Sequence, residues 1–150
     1  MTCALPRERI IIIEDTGEIQ CAARNSVLYH TTATVTMTDL VKKTMRMRPD
    51  RILVGEVRGA EALDLLMGWN TGHPGGIATL HADSAREGLT RLSSLISMAR
   101  DYPKPIEPLI GDAVDLIVEI AKENGSRRIK EILRVTSYNT QINSYDISSL

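Results

Sequence analysis

Short runs of branched aliphatic residues, each followed by polar side chains, constrain the fold of this chain more than any other feature. Residues 9–13 contain four consecutive isoleucines and lead into an acidic segment, residues 14–18. Residues 51–56 form a second apolar run, which ends in Gly-Glu, and residues 77–81 form a third. Runs of this kind predict buried strands. Because helical patterns separate them, the order strand, helix, strand, helix, strand predicts a doubly wound α/β sheet.

The helical stretches are bounded by capping residues, and the end of the chain has hairpin signals. We predict helices over residues 38–48, with Thr38 as the N-cap, over residues 60–69, and over residues 85–99, with Ser84 as the N-cap. The Thr-rich segment 19–35 is predicted to be irregular. A Pro-rich linker at 103–108 and a short helix precede predicted strands over 116–121 and 128–135, joined by a turn at Asn124-Gly125, and an edge strand within 141–147. This part is therefore predicted to flank the sheet in antiparallel fashion.

Composition bounds the class of protein. The 150 residues suit one domain, and 18 basic against 19 acidic side chains argue against a generic basic binder of nucleic acid or membranes. Four Tyr, one Trp and no Phe predict an aliphatic core. The longest apolar run is residues 10–13, and residues 1–9 lack the apolar region of a signal peptide. The default location is the cytoplasm.

Polar side chains follow the predicted strands where ligands of open α/β sheets bind. Glu14 and Asp15 follow the first strand, Glu56 ends the second, and Thr79 and His81 lie on the third. A carboxylate at a strand end suits the water shell of a divalent cation, and His or Thr suits an anionic ligand. The set indicates a nucleotide hydrolase. Singly, each residue has a plainer interpretation, since such acids often cap helices and a lone His often makes a structural hydrogen bond.

Three segments resemble motifs of the secretion ATPases, the RecA-like hexameric motors of type II secretion, type IV pili and type IV secretion. Residues 12–18 resemble their acidic "Asp box", residues 47–61 their Walker B region, and residues 71–82 their "His box". The three occur in the family's order. Residues 14–18, 30–32 and 104–111 look most like the TrbB-type conjugative-transfer branch.

The resemblance implies a RecA-like P-loop NTPase core, with a mainly parallel sheet and an antiparallel C-terminal hairpin. It implies hydrolysis of ATP with Mg²⁺ by a homohexamer on the cytoplasmic face of the inner membrane. Other subunits of the secretion or conjugation machinery would be partners. Direct binding of nucleic acid is not expected, because the Arg residues are scattered and no aromatic platform is present.

The resemblance also implies roles for individual residues. Glu56 matches the Walker B glutamate, placed to activate water or to hold Mg²⁺ through its water shell. The implied catalytic residues are Glu56, His81 and Glu14, with His81 linking the γ-phosphate to domain movement. The implied nucleotide-side residues are Asp15, Glu18, Arg58, Thr79, His73 and Arg24. Arg24, like Arg46 and Arg48, is a candidate for reaching phosphate across a subunit boundary, and its ordinary interpretation is a solvated basic face.

The family's P-loop, G-x-x-x-x-G-K-S/T, does not occur in this sequence, in which no Gly is followed by Lys. By resemblance, residues 1–150 are the C-terminal part of a RecA-like ATPase domain, truncated at the N-terminus, and the chain alone is expected to have negligible ATPase activity. In RecA-like sheets the P-loop strand lies between the His-box strand and the next one. Residues 77–81 and 116–121 are therefore expected to have unpaired edges.

Two other interpretations remain open. The chain could be a non-catalytic remnant that retains an interaction surface or has no function. A pilus-retraction motor is less favoured, because that branch favours Glu-Asp-Pro where this sequence has Glu-Asp-Thr.

Overall fold

A computed structural model describes residues 7–150, and its first sheet contains four parallel strands. These are β1 (Arg9–Glu14), β2 (Asn25–His30), β3 (Arg51–Val54) and β4 (Ile77–Ala78). Their spatial order is β2-β1-β3-β4. Because the strands are parallel, their carboxyl ends lie along one edge of the sheet.

Four helices and a second sheet complete the architecture. The helices are α1 (Met37–Thr44), followed by a 3₁₀ turn at Met45–Met47, then α2 (Glu61–Asn70), α3 (Ala85–Ile96) and α4 (Glu107–Ala113). The second sheet is antiparallel, in the order β5 (Leu116–Glu123), β6 (Ser126–Asn139) and β7 (Ser144–Ser149). None of the helices within residues 7–150 is long and apolar enough to span a bilayer.

One aliphatic core joins the two sheets to the helices. Ile11, Ile13 and Ile52 pack in the same cluster as apolar side chains of all four helices and of Val135 on β6. Strand side chains alternate between faces, so Ile10, Ile12 and Leu53 point the other way. They form a smaller cluster, which segment 19–23 covers.

Segment 19–35 was predicted to be irregular, and this prediction is wrong for β2. Residues 25–30 pair in parallel with the whole of β1, from Arg9↔Asn25 to Glu14↔His30. Their sequence, Asn-Ser-Val-Leu-Tyr-His, combines β-branched and aromatic residues but has no clean alternation. Hydrogen bonding to the buried strand β1 stabilises an extended conformation that the local pattern does not specify.

The start of the first helix also differs from the prediction. Thr36, not Thr38, is the N-cap: its hydroxyl accepts from the N–H of Asp39, whose carboxylate accepts from the N–H of Thr36. This reciprocal capping box satisfies two backbone donors, which a start at Thr38 would not. The helix also ends earlier, and Arg48 adopts a left-handed conformation with φ 51°.

The remaining elements lie where the sequence pattern predicted them, but several boundaries differ: α3 ends at Ile96 instead of residue 99, β6 covers Ser126–Asn139 instead of 128–135, and β7 covers Ser144–Ser149 instead of residues within 141–147. Ser84 caps α3 through the N–H of Glu87, as predicted. Asn124 and Gly125 both have positive φ and join β5 to β6. β4, predicted over residues 77–81, is shorter than predicted, at two residues, although the N–H of Val57 still donates to the carbonyl of Thr79.

The two strands that were expected to have unpaired edges, at residues 77–81 and 116–121, are edge strands of their sheets. β4 is an edge strand of the parallel sheet, and β5 is an edge strand of the antiparallel sheet. Within residues 7–150, each therefore has one side without a strand partner.

Candidate functional site

Polar side chains from three loops meet at the carboxyl edge of the parallel sheet, around Arg58. Its Nη1 lies 3.1 Å from Asp15 Oδ2, and its Nη2 lies 2.6 Å from Glu56 Oε2. The second oxygen of Glu56, Oε1, lies 3.3 Å from His81 Nε2. The loops after β1, β3 and β4 are thus joined by Asp15, Arg58, Glu56 and His81, which we call the edge cluster.

The charges of the edge cluster stabilise one another. The hydrogen bond from Arg58 is the main reason that the pKa of Glu56 lies below its ordinary range. The same bond raises the pKa of Arg58, and the charges of Asp15 and Glu18 act in the same direction. Glu56 is therefore ionised at neutral pH and accepts hydrogen bonds. An anionic ligand at this edge would compete with Glu56 for the guanidinium of Arg58.

Glu14, by contrast, is buried and holds the loop that follows β1. Its side chain is only 2% exposed, and its Oε1 accepts from the N–H groups of Glu18 at 3.1 Å and Ile19 at 3.0 Å. Its Cγ packs against Gly55, where an added Cβ would lie 3.1 Å away. Its Oε2 is buried and has no hydrogen-bond partner among the described residues. These contacts give Glu14 a positioning role, and its predicted catalytic role stays a prediction.

Thr79 and His81 differ in how firmly they are held. The hydroxyl of Thr79 donates to the carbonyl of Gly55 at 2.6 Å and so fastens the end of β4 to the end of β3. The side chain of His81 is 91% exposed. It is therefore able to move toward a ligand without breaking the core.

The structure does not bring His73 or Arg24 to the edge cluster. His73 Nδ1 lies 2.8 Å from the carbonyl oxygen of Pro49, which precedes β3. Arg24 directly precedes β2 and is exposed. Both residues therefore lie at the amino ends of the parallel strands, the edge opposite Glu56.

Two residues without a predicted role shape the site. Glu61 is only 8% exposed, and its Oε1 accepts from the N–H groups of Arg58 at 2.7 Å and Gly59 at 2.8 Å. Thr31 donates from Oγ1 to Asp15 Oδ1 at 2.8 Å. Glu61 had no sequence signal, because the residue three positions earlier is Arg58 and not the Ser or Thr of a capping box. Thr31 had none, because β2 was not predicted.

The chain that carries the edge cluster is similar to known proteins. The family model described as "Type II/IV secretion system protein" matches residues 2–143. The chain belongs to this family. The predicted resemblance to secretion ATPases is thereby confirmed, and with it the TrbB-type branch, since the conjugal transfer protein TrbB of Rhizobium radiobacter is 50% identical over 135 residues. That match covers 90% of this chain and 41% of TrbB.

More distant relatives agree in family and fold. The type IV secretion system protein PtlH of Bordetella pertussis is 38% identical over 145 residues, covering 85% of this chain and 42% of PtlH. The VirB11 ATPase of the Brucella suis type IV secretion system, solved with sulphate, superimposes with a TM-score of 0.79 at 31% identity, over 85% of this chain and 40% of VirB11. The chain spans about two fifths of the length of these relatives. The predicted fold class, a parallel α/β sheet with an antiparallel hairpin, is confirmed.

Proposed function

We propose that this chain carries the Asp-box, Walker B and His-box part of an ATP-hydrolysing motor for conjugative transfer or type IV secretion. The observation that carries the proposal is the edge cluster, in which Arg58 joins Asp15 to Glu56 and Glu56 contacts His81. Open α/β sheets bind ligands at this edge. The names of the relatives, a conjugal transfer protein and an ATPase of type IV secretion, support the same conclusion.

The residues of the edge cluster fit Mg²⁺ and a nucleotide phosphate in part. Within residues 7–150, no group of three or more His, Cys, Asp or Glu residues could hold a metal directly. Glu56 therefore fits Mg²⁺ through water, which suits an ion that keeps several waters. Mg²⁺, when bound with ATP, supplies charge neutralisation of the phosphates. Glu56 orients an attacking water by accepting a hydrogen bond from it, and Arg58 and His81 donate hydrogen bonds to phosphate oxygens.

The proposed motor needs a P-loop that this sequence does not contain. We propose that another polypeptide segment supplies it, next to the open sides of β4 and β5. The working assembly would then be a homohexamer at the cytoplasmic face of the inner membrane, in contact with other transfer subunits. Calorimetric titration of the 150-residue chain with Mg-ATP should show no micromolar binding, and micromolar binding would contradict this requirement.

A chimaera tests the function in a complete protein. The region of Rhizobium radiobacter TrbB that matches this chain is replaced by the corresponding residues of this chain, and conjugation frequency is measured in cells that lack their own TrbB. We expect transfer to be restored. Glu56→Gln in the chimaera should lower transfer roughly 100-fold or more, because a positioned acid–base group is lost. Glu123→Gln, an exposed change on β5, is the matched control and should have no effect.

The same experiment separates the motor from a remnant. A chimaera that is expressed at the level of TrbB but does not restore transfer would favour a non-catalytic remnant. Restored transfer that does not depend on Glu56 would show that the edge cluster is not the catalytic site.

A further inference from the structure

The outer face of the β5–β6 hairpin is apolar, exposed and positively charged at both ends. Along β5, Leu116, Val118 and Ile120 are 52%, 46% and 62% exposed. Across from them on β6 lie Ile132, which is half-buried, and Ile129, which is 61% exposed. Directly paired residues of an antiparallel ladder point to the same face, so these five side chains form one surface.

The charges on this surface all have the same sign. Lys122 pairs with Arg127 at the turn end, and Leu116 pairs with Arg134 at the other end, so the three cations share the face of the five aliphatic residues. The acids of the two strands alternate to the opposite face, where Glu119 pairs with Glu131. We call the eight residues Leu116, Val118, Ile120, Lys122, Arg127, Ile129, Ile132 and Arg134 the cationic apolar face.

The opposite face of the same sheet already packs against helices. There, Ile117 and Val135 belong to the main core with residues of α3 and α4. Gly88 of α3 faces Ile117, and an added Cβ would lie in ordinary contact with Ile117 Cγ2, at 3.8 Å. One side of this sheet is therefore covered by helices, whereas the aliphatic side chains of the outer side are largely exposed among the described residues.

We propose that the cationic apolar face binds an amphipathic helix of a partner protein, with an apolar stripe and acidic residues near both ends. An antiparallel sheet often has one solvated face, but that face is normally polar, so an exposed aliphatic patch of this kind marks an interaction site. Residues 116–122 span about 20 Å, which corresponds to about 14 residues of helix. The face has no Trp or Tyr, the residues that membrane-interface surfaces favour. The three cations complement acids on the partner.

Two synthetic peptides of about 14 residues test the proposal without ATP, independently of the proposed ATPase function. Both carry leucines at every third and fourth position; one has two Glu at each end, the other two Lys. Fluorescence anisotropy with the 150-residue chain should show the Glu-ended peptide binding at least about tenfold more tightly. Equal binding of both peptides, or binding of neither, would overturn the proposal.

Two neighbouring arginines give a matched pair of variants. Arg127→Glu reverses a charge on the cationic apolar face, whereas Arg128→Glu makes the same change on the opposite face, because Arg128 pairs with Ala121. We expect the first to weaken binding of the Glu-ended peptide about tenfold or more and the second to leave it unchanged. Ile120→Thr, which keeps a β-branched side chain, should also weaken binding. Equal effects of the two arginine variants would contradict the assignment to this face.

Other occupants are outcomes of the same set of measurements. Sedimentation of the free chain would reveal a dimer, and a dimer abolished by Ile120→Thr would assign the face to a second copy and overturn the proposal. Flotation with phosphatidylglycerol–phosphatidylethanolamine vesicles tests the membrane. Flotation lost in Arg127→Glu but not in Arg128→Glu would assign the face to lipid and overturn the proposal.

Discussion

Two buried carboxylates act on the backbone of the loops that carry the exposed charges. Glu14 binds the loop after β1, and Glu61 binds the loop after β3, each through one oxygen that accepts two N–H groups. Arg58 then joins the two loops through Asp15 and Glu56. At the scale of single residues, the site therefore depends on positioning acids as much as on exposed ones.

Glu61→Ala tests this positioning role. It leaves the N–H groups of Arg58 and Gly59 without their acceptor, so we expect a loss of about 1–3 kcal/mol in the free energy of unfolding. Amide hydrogen exchange at these two residues should also become faster. Glu61→Gln is the matched control, because its carbonyl still accepts as a neutral group, and it should cost less. Unchanged exchange at Arg58 and Gly59 in Glu61→Ala would contradict the role.

The pair of Arg58 and Glu56 predicts a pH dependence. The pKa of Glu56 is lower in the folded protein than in an unfolded chain. The pair therefore stabilises the fold at any pH above the ordinary pKa of Glu, and this stabilisation is lost as the pH falls through the pKa of Glu56 in the folded protein. Carbon-13 NMR titration should show the pKa of Glu56 rising in Arg58→Ala. His81→Ala should raise the pKa of Glu56 less, since His81 lowers it less than Arg58 does. An unchanged pKa of Glu56 in Arg58→Ala would contradict the pairing.

At the scale of elements, the start of α1 distinguishes a capping residue from a neighbouring threonine. Thr36→Ala removes the capping box with Asp39 and should cost about 1 kcal/mol in the free energy of unfolding. Thr38→Ala lies inside the helix and should change it by less than about 0.5 kcal/mol. Denaturant unfolding of the two variants measures the difference. A larger loss of stability in Thr38→Ala than in Thr36→Ala would contradict the cap at Thr36 and support the helix start at Thr38 that the sequence pattern predicted.

At the scale of the whole molecule, α4 joins the helices to the second sheet through Gly111. An added Cβ there would lie 2.8 Å from the backbone N of Tyr138 on β6, too close for α4 to keep its place. We expect Gly111→Ala to cost about 1–3 kcal/mol in the free energy of unfolding. Gly88→Ala in α3 meets only an ordinary contact with Ile117 at 3.8 Å, and it should stabilise by about 0.5–1 kcal/mol. Opposite signs for the two helical glycines in denaturant unfolding are the expected result, and equal signs would contradict the close packing of α4 on β6.

Most of the architecture could be predicted from local pattern. The isoleucines of β1, the cap at Ser84 and the turn at Asn124-Gly125 all lie where the sequence placed them. β2 could not be predicted, because its stability comes from pairing with β1 rather than from its own alternation. The site was predicted to the same extent: strand ends identified Glu56 and Asp15, whereas Glu61 acts through backbone contacts that its sequence position does not reveal.

The sequence by itself determined the class of fold and the family, because hydrophobic period and motif order are local properties of the chain. Only the tertiary structure decided which polar residues meet. His73 and His81 belong to the same predicted motif, yet His73 lies at the amino edge of the parallel sheet beside Pro49, and His81 lies at the carboxyl edge beside Glu56. The physical reason is that β4 lies between them in the sequence: the residues before a strand lie at one edge of the sheet and those after it at the opposite edge. Closeness in sequence therefore does not imply closeness in space.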